Sequence, residues 1–165
     1  MSGHHHIALR ISDKTYNLPS TVIRHNPIAF KYGAVWIGKP DRAIPGSIVM
    51  ILNEQCEQKV RPTRLFIIDP DHKNPVAFQA ELYAVSLKSP QEKEMIPPFY
   101  KELKILSRMK VWFKVSYLDG FRLDEMPYLD KINTHYDQLE RKATLLFHPK
   151  SVPGYFDVVE EKDEE

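Results

Sequence analysis

Cysteine is almost absent from this chain of 165 residues. Cys56 stands alone, so no intrachain disulfide can form and a cysteine-built zinc centre is excluded. Glycine is scarce at 6 residues, and no glycine-rich phosphate cradle, Gly-x-Ser-x-Gly elbow or His-Glu-x-x-His pair occurs. No apolar run approaches the roughly 18 residues that span a bilayer. The opening Met1-Ser2-Gly3-His4-His5-His6 has no secretory apolar region. A strong charge of one sign is missing too: the net charge is +1, which rules out a uniformly basic coat. Together these absences lead us to expect a cytoplasmic chain with no membrane partner.

What is present suits one folded unit. Hydrophobic residues make up 42% and charged residues 27%, a globular balance. The expected division is a single domain over 1–159 and an acidic tail or linker over 160–165. Removing the tail's five acids and one lysine from a chain of net charge +1 leaves +5. The body is therefore modestly basic and offers local patches to anions.

The apolar pattern predicts strands over 7–11, 30–37, 47–52, 65–68, 76–85 and 109–117. In 76–85, Val76, Phe78, Ala80 and Leu82 alternate with Gln79 and Glu81, giving one buried face. Asn26-Pro27 and Pro45-Gly46 mark turns, residues 38–42 break a strand, and Asp119-Gly120 ends one. Leu129, Ile132, Tyr136 and Leu139 recur at helical spacing and predict a helix over 128–142, with Asp124 as its cap and Pro127 in its first turn. Lesser helical signals cover 17–23 and 100–106, and the three histidines at the start read as disordered. The expected class is α+β, a curved mixed sheet or small β-barrel of five to six strands with flanking helices.

No convergent catalytic set emerges. Cys56 with His25 or His72 would be a nucleophile and base, but a lone cysteine in a polar stretch is ordinarily inert. Asp69-Pro70-Asp71 has paired carboxylates, the seed of a metal-dependent nucleotide hydrolase, and is also ordinary turn chemistry. His148-Pro149-Lys150 reads as a loop. We therefore expect a non-enzyme with no metal site and no cofactor.

The aromatics say more. Trp36 closes Phe30-Lys31-Tyr32-Gly33-Ala34-Val35-Trp36, Trp112 lies in Met109-Lys110-Val111-Trp112-Phe113-Lys114-Val115, and Phe99-Tyr100 follows Pro97-Pro98. Such faces either pack a core or cage a flat or methylated group, and a stacked base contributes ~1–3 kcal/mol. Basic residues surround them: Lys31, Lys39 and Arg42 near Trp36, then Arg61 and Arg64, then Lys101, Lys104, Arg108 and Lys110. Cations on phosphates beside aromatics on bases make a nucleic-acid groove. An aromatic loop can equally serve as the hot spot of a protein-interaction domain.

The order of these pieces resembles the YTH family, within the EVE and PUA-like superfold of modified-base readers. Lys31-Tyr32-Gly33-Ala34-Val35-Trp36 is similar to the strand entering that family's first cage tryptophan, with one extra residue before the tryptophan. Gly46 to Leu52 is similar to its central strand after a glycine, and Phe78 to Val85 to the strand that follows. Phe99-Tyr100 falls where the family has its second cage wall, a tryptophan there. Lys110 to Val115 is similar to the strand after that loop, and Tyr155-Phe156-Asp157 to the terminal Phe-Asp. The hydroxyl-rich residues that follow the family's tryptophan are Ile37-Gly38 here.

The resemblance implies a binding module for a flipped, modified base, N6-methyladenine. Trp36 would be the cage floor, Phe99 or Tyr100 the wall, and Tyr32 and Ile37 would lie beside them, while Trp112 would be structural. Lys31, Lys39, Arg42, Arg64, Lys104 and Arg108 would hold phosphates. Related domains form the DNA-reading part of McrBC-type restriction systems. The implied partner is thus methylated DNA ahead of RNA, with a fused or associated NTPase or nuclease.

Overall fold

The computed structural model describes residues 4–10, 21–40, 44–69, 76–121, 132–136, 139–142 and 154–160. In chain order the elements are β1 (His4–Arg10), α1 (Thr21–Tyr32), β2 (Val35–Lys39), α2 (Gly46–Gln58), β3 (Arg64–Asp69), β4 (Val76–Ser86), α3 (Phe99–Glu102), β5 (Val111–Val115), β6 (Asp119–Phe121), β7 (Ile132–Tyr136), β8 (Leu139–Lys142) and β9 (Gly154–Glu160). Short 3-10 turns at Lys93–Met95 and Leu106–Arg108 flank α3. The class is α+β. A mixed sheet runs β2-β5-β4-β3-β1-β9-β7-β8 with β6 on β4, and among the described residues its path ends at β2 and β8 rather than closing.

β4 is the longest strand and organises the rest. Its first half pairs with β3, from Val76↔Asp69 to Glu81↔Arg64, and its second half pairs with β5, from Leu82↔Val115 to Ser86↔Trp112. β6 lies along β4 in the register that β5 begins, so β5 and β6 act as one strand interrupted at 116–118. The register shifts between Leu82 and Ala84. That irregularity moves the buried face from Ala80 and Leu82 to Val85, while Tyr83 turns to solvent. Asp119-Gly120, expected to end a strand, instead belongs to β6.

Four expectations fail in the first half of the chain, each for a physical reason. Asn26-Pro27 is no turn, since Pro27 sits inside α1. Val22, His25, Asn26 and Ala29, at helical spacing, face inward, whereas Ile23, Pro27 and Phe30 face solvent. The bond that proline forfeits would go to the carbonyl of Ile23, on the side where water can replace it. The predicted strand over 30–37 is divided: Phe30 to Tyr32 finish α1, and β2 starts at Val35. Gly33, at φ +82°, makes the break and donates its N–H to Ala29 O at 2.8 Å, a left-handed helix stop. Residues 47–52 form no strand but the first half of α2, whose Ile48, Leu52 and Cys56 meet the core at i, i+4 and i+8. Its apolar run is continuous only because Met50 is left in solvent. The histidines are not a disordered start: His4, His5 and His6 lie in β1, with His5 and His6 buried.

The helix expected near 128–142 is also replaced. β7 and β8 pair as an antiparallel hairpin from Tyr136↔Leu139 to Asn133↔Lys142, and β7 pairs with β9. Ile132 and Tyr136, four apart, share a face in a strand as well as in a helix, and the β-branched and aromatic residues of 132–136 favour the strand. Glu160, placed in the tail by the sequence, is the last residue of β9 and pairs with His4 and Ile132. Asp124 and Pro127 lie outside the described residues.

α1 and α2 cover one sheet face. The core between them gathers Ile7, Leu9, Val35, Ile37, Leu52, Leu65, Ile67, Leu82, Val85, Val111, Phe113, Val115 and Leu118, with Ala29 from α1. Each such large aliphatic contributes ~1.5–3 kcal/mol on full burial.

Side-chain amides lock the helices to this sheet where strand pairing stops. β3 ends opposite Glu81, and beyond it Asn53 of α2 accepts Val85 N–H at 2.9 Å and donates to Val85 O at 3.0 Å. Gln55 accepts His5 N–H at 2.9 Å and donates to His5 O at 2.7 Å. At the gap between β5 and β6, Asn26 of α1 accepts Leu118 N–H at 2.8 Å and donates to Leu118 O at 3.0 Å. Each carboxamide copies the two-way hydrogen bonding of a neighbouring strand. Asn26→Leu strands both Leu118 groups in a buried place, where each unsatisfied group costs ~1–3 kcal/mol. We expect a fall of about 2–4 kcal/mol, seen in urea unfolding as a lower midpoint at unchanged slope. An unchanged midpoint would show that water replaces the amide.

Candidate nucleic-acid interface

Alternation along β2 and β5 sends their odd-numbered residues into the helical core and Trp36, Trp112 and Lys114 to the opposite face. Register then fixes the neighbours: Trp36 faces Lys114, and Gly38 faces Trp112. Gly38 allows a close approach, because a Cβ there would stand 2.7 Å from Met109 Cγ and 3.1 Å from Trp112 Cη2.

The segment between β4 and β5 folds over this face. It opens on a turn closed by Ser86, which donates Oγ–H to Lys88 O at 2.7 Å. Ile96, Phe99, Tyr100 and Ile105 from the segment join Trp36 and Trp112 in a second buried cluster, with Met95, Leu106 and Met109 at its margin. Phe99 and Tyr100 stack at 4.2 Å, and Tyr100 leans on Trp112 at 5.0 Å. His25 of α1 meets the edge of Phe99 at 5.4 Å, and the Arg24 guanidinium lies 5.4 Å from the same ring.

Tyr100 ties three elements together. Its hydroxyl accepts Gly38 N–H at 2.9 Å and lies 2.7 Å from His25 Nε2. A hydroxyl oxygen can accept twice and donate once, so the His25 tautomer sets the direction of that second bond. Trp36 is different. It is 6% exposed, yet its indole N–H meets no acceptor among the described residues. The Lys114 ammonium lies 6.0 Å from the Trp36 ring centre and pairs with Glu92 at 3.0 Å.

The structure brings together some of the expected residues and separates others. Trp36, Phe99 and Tyr100 share one cluster, as does Trp112. Phe99 and Tyr100, expected as an open loop wall, form the buried start of α3, so they present no exposed hot spot. Ile37 lies on the other sheet face, in the helical core. Tyr32 is at the end of α1 under the Lys31 ammonium, 5.2 Å from its ring centre, and is not part of the cluster. Lys39 is 3% exposed and so lies inside the protein rather than at its surface. Arg64 donates to Gln79 Oε1 at 3.1 Å. Lys31, Lys104 and Arg108 are exposed, the last two on the segment covering the aromatics with Lys101 and Lys110. Arg42 lies outside the described residues.

Sequence reasoning missed Lys114 and Glu92, and it offered His25 only as a base for Cys56. Lys114 matters because it opposes Trp36, and only the β2–β5 register reveals that. The period-two position of Lys114 beside Trp112 was the available signal.

The other chemical candidates fall into structural roles or outside view. Cys56 donates Sγ–H to Leu82 O at 3.2 Å, and burial pushes its thiol up to about 11 against a hydrogen bond from Thr63 that lowers it. His25 is engaged by Tyr100 and is no partner for Cys56, while His72 and Asp71 lie outside the described residues. Among the described residues no three His, Cys, Asp or Glu side chains gather to hold a metal, and no helix is long and apolar enough to cross a membrane.

Two measurements follow from this geometry. Tyr100→Phe keeps the ring but leaves Gly38 N–H and His25 Nε2 without their shared partner, and should cost ~1–3 kcal/mol of stability in denaturant unfolding. No loss would mean that the hydroxyl is idle. Cys56 should resist iodoacetamide in the native protein at pH 8 and react readily once urea unfolds it. The linked stability has a definite sign. The folded pKa is raised, so stability is complete below the ordinary thiol value of 9.0 and declines toward about 11 as the unfolded thiol ionises first. Rapid native alkylation at pH 8 would refute the burial. No protein-family model matches the chain, and no curated protein matches it.

Proposed function

We propose that this chain is a non-enzymatic nucleic-acid-binding module that takes a flipped N6-methyladenine of DNA against Trp36, with Phe99 or Tyr100 as the second wall. In this reading it is a PUA-like domain of the YTH and EVE kind. It serves as the specificity domain of a modification-dependent restriction system, next to an NTPase or nuclease. One observation carries the reading. Among the described residues, Trp36 keeps an unused indole N–H on a sheet face that also collects Phe99, Tyr100 and Trp112, beneath a segment bearing exposed Lys101, Lys104 and Arg108.

Physical chemistry supplies the rest. Aromatic faces favour an apolar methyl group, and the neighbouring cations hold phosphates. Because Trp36 is covered, a base enters only as the covering segment draws back. The apolar surface uncovered costs ~25 cal/mol per Å², and a base that stacks in the same place restores that burial. A flipped base arrives at a cost of a few kcal/mol for unstacking, least when the strand is already single.

The test is binding to matched oligonucleotides with and without one N6-methyladenine, at low and high salt. The unsubstituted protein should prefer the methylated strand. Trp36→Ala should remove ~1–3 kcal/mol of binding and most of that preference, and Trp36→Phe should keep the fold with an intermediate preference. Lys104→Gln and Arg108→Gln should weaken both strands equally and flatten the salt slope by about 1 each. Equal binding of the two strands by the unsubstituted protein would end the reading. So would a methyl preference that survives Trp36→Ala in whatever remains folded.

A further inference from the structure

Trp36 and Lys114 stand directly opposite across β2 and β5, on one face. Such partners have Cβ atoms about 5 Å apart. Lys114 Nζ donates to Glu92 Oε2 at 3.0 Å and to Oε1 at 3.1 Å, so its charge already carries an anion. The indole N–H of Trp36, whose ring centre lies 6.0 Å from that ammonium, meets no acceptor among the described residues, although Trp36 is only 6% exposed. Buried indole donors ordinarily find an acceptor, and one left without is costly. A carboxylate and a phosphate offer N–H donors the same anionic oxygens.

Resting on the nucleic-acid reading above, we propose that Lys114 and Trp36 Nε1 form an anion site for a phosphate of the recognised strand. Glu92 occupies the cationic half of that site until the phosphate displaces it. Stacking geometry explains why the two donors serve one nucleotide. A ring that lies face-on to a base can direct its N–H only within its own plane, past the edge of the base and toward the sugar–phosphate. The tryptophan then contributes its face to the base and its edge to the backbone. Glu92 directly precedes the 3-10 turn Lys93–Met95, within the segment that covers the aromatic face. Releasing Glu92 from Lys114 therefore also loosens that segment's attachment to β5, which couples phosphate arrival to uncovering of Trp36. Lys114 is 24% and Glu92 40% exposed, so the exchange moves no deeply buried charge.

The experiment uses the full chain and single-stranded oligonucleotides carrying one N6-methyladenine, over a series of salt concentrations. Lys114→Gln should weaken binding about tenfold and lower the slope of log K against log salt by about 1. Glu92→Gln should act in the opposite direction and tighten binding about twofold to fivefold, the scale of one partly exposed ion pair removed as a competitor. In the Lys114→Gln background the same Glu92 change should do little, because nothing is left for the carboxylate to block. Methyl preference should be unchanged in all three variants. A second arm needs no base: inorganic phosphate should move the Trp36 indole N–H resonance, assigned with Trp36→Phe. It should do so more strongly in Glu92→Gln and not in Lys114→Gln.

The outcomes separate the two claims. A phosphate response without oligonucleotide binding keeps the anion site and ends the base reading. Methyl-selective binding that ignores both Lys114→Gln and Glu92→Gln ends the anion site and keeps the base reading. Weaker binding by Glu92→Gln would also overturn the anion site, since the ion pair would then serve only to hold the segment in place.

Discussion

Every backbone N–H and C=O that a strand exposes inside a protein needs a partner, and β4 changes partners midway. β3 serves its first half and β5 its second. At each place where a neighbouring strand gives out, a carboxamide from a helix takes over: Asn53 at Val85, Gln55 at His5, Asn26 at Leu118. A two-bond contact of this kind fixes distance and rotation together. With Asn53 and Gln55 engaged, α2 has one rotational setting, and that setting turns Ile48, Leu52 and Cys56 to the sheet. Hydrogen bonding thus selects the helix faces that the apolar core then fills.

The same sheet has a second face, and the difference between the two explains the site. Under the helices lie aliphatic residues, packed in the ordinary way. On the reverse lie two tryptophans, a tyrosine and a phenylalanine, with a lysine over one indole and a cationic segment across the top. Aliphatic packing stabilises without offering donors or π-faces. The aromatic side offers both, and at Trp36 a donor remains unspent among the described residues. Of these groups only Trp36 stands on the edge strand β2, while Trp112 is on β5 and Phe99 and Tyr100 are on α3.

Some of this was legible in the sequence. Alternation in 76–85 located β4, and apolar β-branched runs located β3 and β5. Trp36, Phe99 and Tyr100 meet in one buried cluster, and the α+β class is readable from the patterning. The misses share a cause. Residues 47–52 are as apolar as a buried strand, and only Cys56, Asn53 and Gln55 further along reveal helical spacing. Pro27 argued for a turn because its tolerance inside α1 depends on which side faces water. Ile132 and Tyr136 lie four apart, a spacing that a helix and a strand share, and pairing to β9, a contact distant in sequence, goes with the strand. Ile37 and Lys39 were grouped with Trp36 by closeness in sequence, which in a strand places alternate neighbours on opposite faces. Lys114 was invisible for the complementary reason: it lies far from Trp36 in sequence and directly opposite it in space.

The Tyr100 hydroxyl on Gly38 N–H carries one more consequence. β2 is an end of the sheet, and an end strand with bare amides is a template onto which another chain can add a strand. Here one outward amide is already taken, and the segment bearing Tyr100 packs against the same strand. At the opposite end, β8 carries Glu140, Arg141 and Lys142, charges that discourage the same association. The sheet is therefore blunted by two unlike means, a covalently tethered phenol at one border and a strand rich in charged residues at the other. Only the first border can be unblunted by a conformational change. Any opening of the aromatic face would briefly expose a strand edge, so self-association would rise with protein concentration in the open state and not in the closed one.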